Sequence, residues 1–242
     1  MNMFKKTWYG FRSFLFYAVQ AIVTGPYGIF SLFCYKLSAH TRYEIIRLWI
    51  KFNIVSLRLL CGVKFEVEGL ENITEQNGVI LANHQSTYET FILPLIFHQP
   101  TIILKKQLLD IPFFGWGLRL LDPISVDKKK PTSSMQQLLT LGQQKLKEGR
   151  WVLIFPESER VEAGKKARYR IGGAMLAKRA GVPVLPVAHN SGKYWPGKGF
   201  IKYPGTVKVV IGSPIDTTNR SQEEVLAMAK IRIEKTLEII NL

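Results

Sequence analysis

Cysteine is nearly absent from this chain of 242 residues: Cys34 and Cys61 are the only two, both in apolar surroundings. Two such positions do not indicate a disulfide framework, and neither has a metal-ligand or redox spacing, so a reducing compartment is compatible. Histidine is scarce as well, at four residues. No H-E-x-x-H zinc motif occurs and no cluster of ligand residues calls for a metal. The chain also lacks a G-x-S-x-G elbow, which leaves Ser86, close to His84, as the one weak hint of a serine nucleophile. Internal repeats, low-complexity tracts and long linkers are missing, which excludes a solenoid and argues against a second globular domain. Acidic residues are outnumbered, 18 against 33 Lys and Arg, for a formal charge of +15. That imbalance points to an anionic partner: nucleic acid, a membrane surface or a phosphorylated substrate.

Charge is absent altogether from Ser13 to Tyr35. A straight helix of that length crosses a hydrocarbon core about 30 Å thick, so membrane contact is expected. Gly25-Pro26 interrupts the stretch near its middle, and a hairpin dipping into one leaflet is expected ahead of a kinked span. Lys5, Lys6 and Arg12 precede it and Lys36, Arg42 and Arg47 follow it, so the positive-inside comparison gives no orientation. The apolar stretch is too long for a cleaved signal peptide, and no small-residue cleavage site follows it. From Tyr43 to Leu60, Arg47, Lys51 and Arg58 share one helical stripe amid Trp49, Phe52, Leu57 and Leu59. This suits an interfacial helix and a core-packed helix with a solvated basic face equally.

Beyond residue 60, Val63, Phe65 and Val67 alternate with polar residues as a half-buried strand does. Further strands are expected at 78–82, 101–104, 123–126, 151–155, 184–188 and 207–211, and helices at 132–148, 171–180 and 221–240. Strands alternating with helices indicate an α/β fold, a mixed sheet flanked by helices, with N-terminal membrane-associating helices. The expected division is residues 1–60 for those helices and 61–242 for the α/β domain.

In such folds the working residues gather in loops beyond strand ends. "NHQSTYE", residues 83 to 89, follows the first long apolar run. Ser86 and Glu89 have the spacing of a capping box, which would make His84 incidental. Five positions apart in a regular helix, His84 and Glu89 would be about 140° apart and could not meet. They meet if His84 lies in the turn before the helix; the carboxylate then takes one imidazole N–H and leaves the other nitrogen free as a base. "VDKKKP", residues 126 to 131, and "FPESER", residues 155 to 160, follow two further runs. Glu157 and Arg160, with Lys165, Lys166, Arg168 and Arg170 after them, suit either a phosphate site or a solvated charge run. "GKYWPGKG", residues 192 to 199, mimics a Walker loop but has Gly199 at the hydroxyl position and Pro196 inside, and "FIKY" after it reads as a strand rather than a helix. His40, His98 and His189 are scattered and read as structural.

Taken in order, these loops resemble the 1-acylglycerol-3-phosphate acyltransferases of the glycerolipid acyltransferase family. The family's N-H-x-x-x-x-D motif is matched by Asn83-His84 with Glu89 at the acidic position. Its F-P-E-G-T-R motif is matched at the ends by Phe155-Pro156-Glu157-Ser158-Glu159-Arg160, and its apolar proline-centred run by residues 182–187. Residues 105–116, "KKQLLDIPFFGW", and Val126-Asp127-Lys128 look like its second block, with lysine where arginine is usual. The resemblance covers residues 60 to 215.

It implies acyl transfer from a coenzyme A or acyl-carrier-protein thioester to the sn-2 hydroxyl of lysophosphatidic acid, giving phosphatidic acid at the cytoplasmic face of the cell membrane. His84 is then the general base and Glu89 its partner, while Glu157 and Arg160, with Lys105 and Lys128, hold the glycerol phosphate. Phe113, Phe114 and Trp116 are candidates for the acyl chain or for ordinary core. No metal and no cofactor beyond the thioester co-substrate is implied. Ser158 and Glu159 replace glycine and threonine, and a carboxylate there repels a phosphate unless it is paired, so another lysophospholipid or a lyso-aminolipid is an alternative acceptor. A non-enzymatic basic protein at a membrane surface or on nucleic acid is the alternative of another class; it lacks the aromatic interleaving of a known binding module.

Overall fold

A computed structural model describes residues 2–127, 129–165 and 167–241. The chain opens with two long helices, α1 (Met3–Phe33) and α2 (Ala39–Cys61). Strand β1 (Val63–Glu68), strand β2 (Val79–Ala82), helix α3 (Glu89–Ile96) and strand β3 (Thr101–Lys105) follow. After them come α4 (Phe114–Leu118), β4 (Ile124–Val126), α5 (Pro131–Lys147), β5 (Val152–Ile154) and α6 (Gly172–Ala180). The chain closes with β6 (Val184–His189), the single turn α7 (Ser191–Tyr194), β7 (Gly205–Ile211) and α8 (Gln222–Ile240).

The strands form one sheet of seven in the order β1-β7-β6-β2-β5-β3-β4. Five neighbours, β6 to β4, run parallel; β7 is antiparallel to β6 and carries β1 parallel beside it, so the sheet is mixed. Strand β2 lies at the centre, with Leu81 opposite Ile154 on one side and Pro186 on the other. It is buried along its whole length, as the uninterrupted apolar run of a strand covered on both faces requires. Ile80 and Ala82 join the core beneath α1, α2 and α3, while Val79 and Leu81 join the core beneath α5, α6 and α8. Local signals set the helix ends. Pro131 opens α5, where its missing N–H costs nothing, Gly181 ends α6 at φ +65°, and Ser221 and Glu224 close a capping box on α8.

Gly25-Pro26 does not turn the chain. Helix α1 runs through Pro26 unbroken, and the reversal comes at 34–38, where Ser38 accepts from the Thr41 N–H to cap α2. Packing overrides the proline: Tyr27 stacks on Trp49 at 5.6 Å, and Gly28 lies so close to Phe113 that a Cβ there would come within 2.6 Å of it. Phe16, Tyr43, Ile46, Ile50 and Leu57 belong to the same core as the sheet. Helix α2 is thus core-packed on one face, yet Leu48, Phe52, Val55 and Leu59 line its outer face, and Phe4, Trp8, Phe11 and Phe14 do the same on α1. Among the described residues α1 alone is long and apolar enough to cross a membrane. One of its ties to the sheet domain is Lys202, 1% exposed, whose ammonium bonds Tyr17 Oη and sits 3.9 Å from the centre of that ring. The 200–203 stretch containing it is neither strand nor helix, contrary to its strand-like pattern.

Candidate active site

Three neighbouring strands, β6, β2 and β5, end at the same edge of the sheet. The loops they release meet there. Asn83 follows β2 directly and is spliced to the end of β6. Its side-chain amide donates to the His189 carbonyl (2.9 Å), its Oδ1 accepts the His189 N–H (2.9 Å), and its carbonyl accepts from His189 Nε2 (2.6 Å). This pins the turn that carries His84.

His84 lies in that turn and Glu89 opens α3, the arrangement in which the two can meet. His84 Nδ1 donates to Glu89 Oε1 at 2.8 Å. The same oxygen accepts the N–H groups of Gln85 (2.9 Å) and Ser86 (2.8 Å), and Oε2 accepts from Ser191 Oγ at 2.6 Å. The capping and imidazole-holding geometries coexist on one carboxylate, because its backward reach to the orphan N–H groups also brings it to the imidazole. The reciprocal half of the capping box is missing, since Ser86 Oγ accepts from the Tyr88 N–H instead. The imidazole stacks on Phe155 at 4.3 Å, and with Nδ1 engaged its Nε2 carries the free lone pair. Burial alone would raise the fully buried Glu89 carboxyl; attraction to His189 and the bonds from His84 and Ser191 outweigh it and hold the group at about 2. Burial lowers His189 in turn.

Glu157, in the loop after β5, accepts the backbone N–H of His84 and so grips the turn from the other side. The Val161 N–H donates to the His84 carbonyl (2.7 Å) and completes the grip. Burial pushes Glu157 up to about 8, helped by the nearby Glu89 and Glu234 charges and opposed by the His84 N–H. A cleft of about 510 Å³ opens here, lined by Gln85, Glu157, Arg160, Lys165, Arg168, Arg170 and Lys198 among others. It begins one residue from His84.

Of the residues expected from the sequence, His84 and Glu89 are brought together, and Glu157 and Arg160 line the adjoining cleft. Lys105, exposed at the end of β3, is not among the residues lining that cleft, because β5 intervenes between β3 and β2. Lys128 lies outside the described residues. Phe114 packs on Trp49 in the core, while Phe113 is partly exposed and meets Trp116 edge-on at 5.0 Å. The Walker-like stretch forms α7 and a turn whose Gly197 and Lys198 line the cleft. His189 is structural, as expected, but it borders the site. Gln85 and Ser191 were not singled out; "HNS" directly after the apolar run 184–188 obeys the same strand-end rule as "NHQ" after 78–82 and would have pointed to Ser191.

A histidine held by a buried carboxylate, at strand ends beside a basic cleft, is an arrangement able to carry base-assisted chemistry on an anionic substrate. The sequence model of the Acyltransferase family matches residues 64–190, and the chain belongs to that family. A 1-acyl-sn-glycerol-3-phosphate acyltransferase of Pseudomonas aeruginosa is 46% identical over 83% of this chain and 79% of its own length. The protein of that name from Saccharomyces cerevisiae is 27% identical over 88% and 73%. Of a longer chloroplastic relative from Brassica napus, 27% identical, the match spans 56%. The crystal structure of the 1-acyl-sn-glycerophosphate acyltransferase of Thermotoga maritima superposes with a TM-score of 0.77 at 25% identity, covering 96% of this chain and 95% of that one.

Proposed function

We propose that this enzyme transfers an acyl group from a thioester to the sn-2 hydroxyl of a 1-acylglycerol 3-phosphate, forming phosphatidic acid for phospholipid synthesis. The observation that carries this reading is the His84–Glu89 contact at 2.8 Å beside the basic cleft. His84 Nε2 takes the proton of the 2-hydroxyl as the oxygen attacks the thioester carbonyl. The imidazolium so formed is stabilised by Glu89. Collapse of the tetrahedral intermediate breaks the C–S bond, and the departing thiolate receives the proton back, so no acyl-enzyme is needed. General-base help of this kind contributes roughly 10² to 10⁴ in rate, and positioning of the two substrates supplies much of the remainder.

Arg160, with Lys165, Arg168, Arg170 and Lys198 around the same cleft, suits the acceptor phosphate. Glu157 suits it too, because a carboxyl titrating at about 8 is protonated at neutral pH and meets a phosphate as a hydrogen-bond donor rather than as a like charge. The donor is coenzyme A or acyl-carrier protein. The outer apolar rows of α1 and α2 fit a membrane surface, where acceptor and product reside, and a cytoplasmic face is the side on which such donors are found.

The test is thioester-dependent conversion of lysophosphatidic acid by membranes carrying the native chain or His84→Ala, at matched protein level. Loss of product in the variant supports the base role. No product from the native chain with either donor overturns the substrate pair, and a panel of other lysophospholipids and lyso-aminolipids then finds the acceptor.

A further inference from the structure

Glu89 Oε1 is satisfied within its own turn, by His84 Nδ1 and the N–H groups of Gln85 and Ser86. Its other oxygen is not. Oε2 is buried with the rest of the side chain, and the donor it receives comes from the far side of the site: Ser191 Oγ at 2.6 Å, 102 residues away in sequence. A buried carboxylate oxygen left without a donor is costly, and a glutamate has one more torsion than an aspartate through which to rotate away. Ser191 is therefore placed where this side chain most needs a second anchor.

The hydroxyl has one proton to give. It lies 2.6 Å from Glu89 Oε2 and 3.1 Å from His189 Nδ1, so the shorter contact and the ionised acceptor claim the proton. His189 cannot turn, because its Nε2–H is committed to the Asn83 carbonyl and its own backbone is bonded to the Asn83 side chain in both directions. Ser191 is itself fully buried and held at its carbonyl by the Trp195 N–H (2.9 Å). Neither side chain is open to substrate.

We propose that Ser191, set in place by the Asn83–His189 splice at the end of β6, is a positioning residue that pins the Glu89 carboxylate so that His84 keeps its proton on Nδ1 and its lone pair on Nε2. The brace makes β6 part of the catalytic arrangement. Asn83 then has two tasks, to lead into His84 and to lock the strand end that supplies Ser191. The inference rests on the base role of His84 proposed above.

The experiment uses the full chain in detergent, native against Ser191→Ala, with kinetics and imidazole ¹⁵N shifts measured well below the melting temperature of each protein. In the native, substrate-free protein His84 is expected as one tautomer, protonated on Nδ1. In Ser191→Ala a mixture of tautomers is expected. The variant's kcat is expected to fall about 10- to 100-fold, a size typical of losing a group that orients a functional histidine. KM for both substrates should stay within about twofold, since the residue touches neither. His189→Gln should move both readouts in the same direction and by less. An unchanged His84 tautomer in Ser191→Ala would overturn the proposal, whether or not kcat or the melting temperature had changed. The tautomer is read without substrate, so a native chain that makes no phosphatidic acid yet shows the tautomer shift overturns the assigned reaction and supports the brace.

Discussion

Two glutamates, Glu89 fully buried and Glu157 partly buried, border the same histidine and shift in opposite directions. Glu89, after β2, is held at about 2, while Glu157, after β5, is pushed up to about 8. Burial raises both. The difference is in the neighbours: Glu89 is attracted by His189 and receives four hydrogen bonds, two from backbone N–H groups, one from His84 and one from Ser191. Glu157 spends one oxygen on the His84 N–H and has Glu89 as a repelling neighbour. The site thus favours charge on one carboxyl and the proton on the other. Burial sets the cost of charge, and the local supply of donors decides whether that cost is met.

The sharpest way to break this comparison is to neutralise the charged member or remove what it supports. Glu89→Gln puts an NH₂ group against donors, and His84→Ala removes the base; each is expected to lower kcat by roughly 10² to 10⁴, read by product formation at saturating substrate. Next in size is Arg160→Ala on the Glu157 side, where losing one charge-assisted contact of roughly 1.5 to 3 kcal/mol raises KM for the phosphorylated acceptor about 10- to 100-fold with kcat nearly kept.

A smaller effect follows from the titration of Glu157. Its folded value, about 8, lies above the ordinary glutamate value of 4.5, so the folded state holds the proton more tightly. Its contribution to stability is full below about 4.5 and is lost as pH rises through about 8. Thermal melting from pH 6 to 9 is expected to show a decline that Glu157→Gln flattens, by on the order of 1–2 kcal/mol after allowance for water at the cleft. A variant whose melting fell as steeply as the native would mean that Glu157 is charged like Glu89. The smallest effect belongs to the same loop: Ser158 has φ +63° in the position where the family motif has glycine. Ser158→Gly is expected to relieve left-handed strain and add roughly 0.5–1 kcal/mol to stability in denaturant unfolding, with acceptor KM little changed.

Much of the frame was legible in the chain. All seven strands lie where alternation or apolar runs placed them, because a strand buried on one or both faces must carry that pattern. His84 and Glu89 were legible as a pair by motif spacing and by the geometry of a helix start. Gly25-Pro26 was misleading, because local preference for a break is weaker than the packing of Tyr27 and Gly28 against Trp49 and Phe113. Lys105 was placed with the site by position in a motif block, but strand order sets β3 beyond β5.

The sequence by itself determined the element pattern, the apolar N-terminal helix and the residues able to carry a base-assisted transfer, since those depend on neighbours a few positions apart. Only the tertiary structure decided which glutamate is charged. That choice depends on His189 and Ser191 at the end of β6 meeting Glu89 and on β6 and β5 flanking β2, contacts that exist only once the strand order is set.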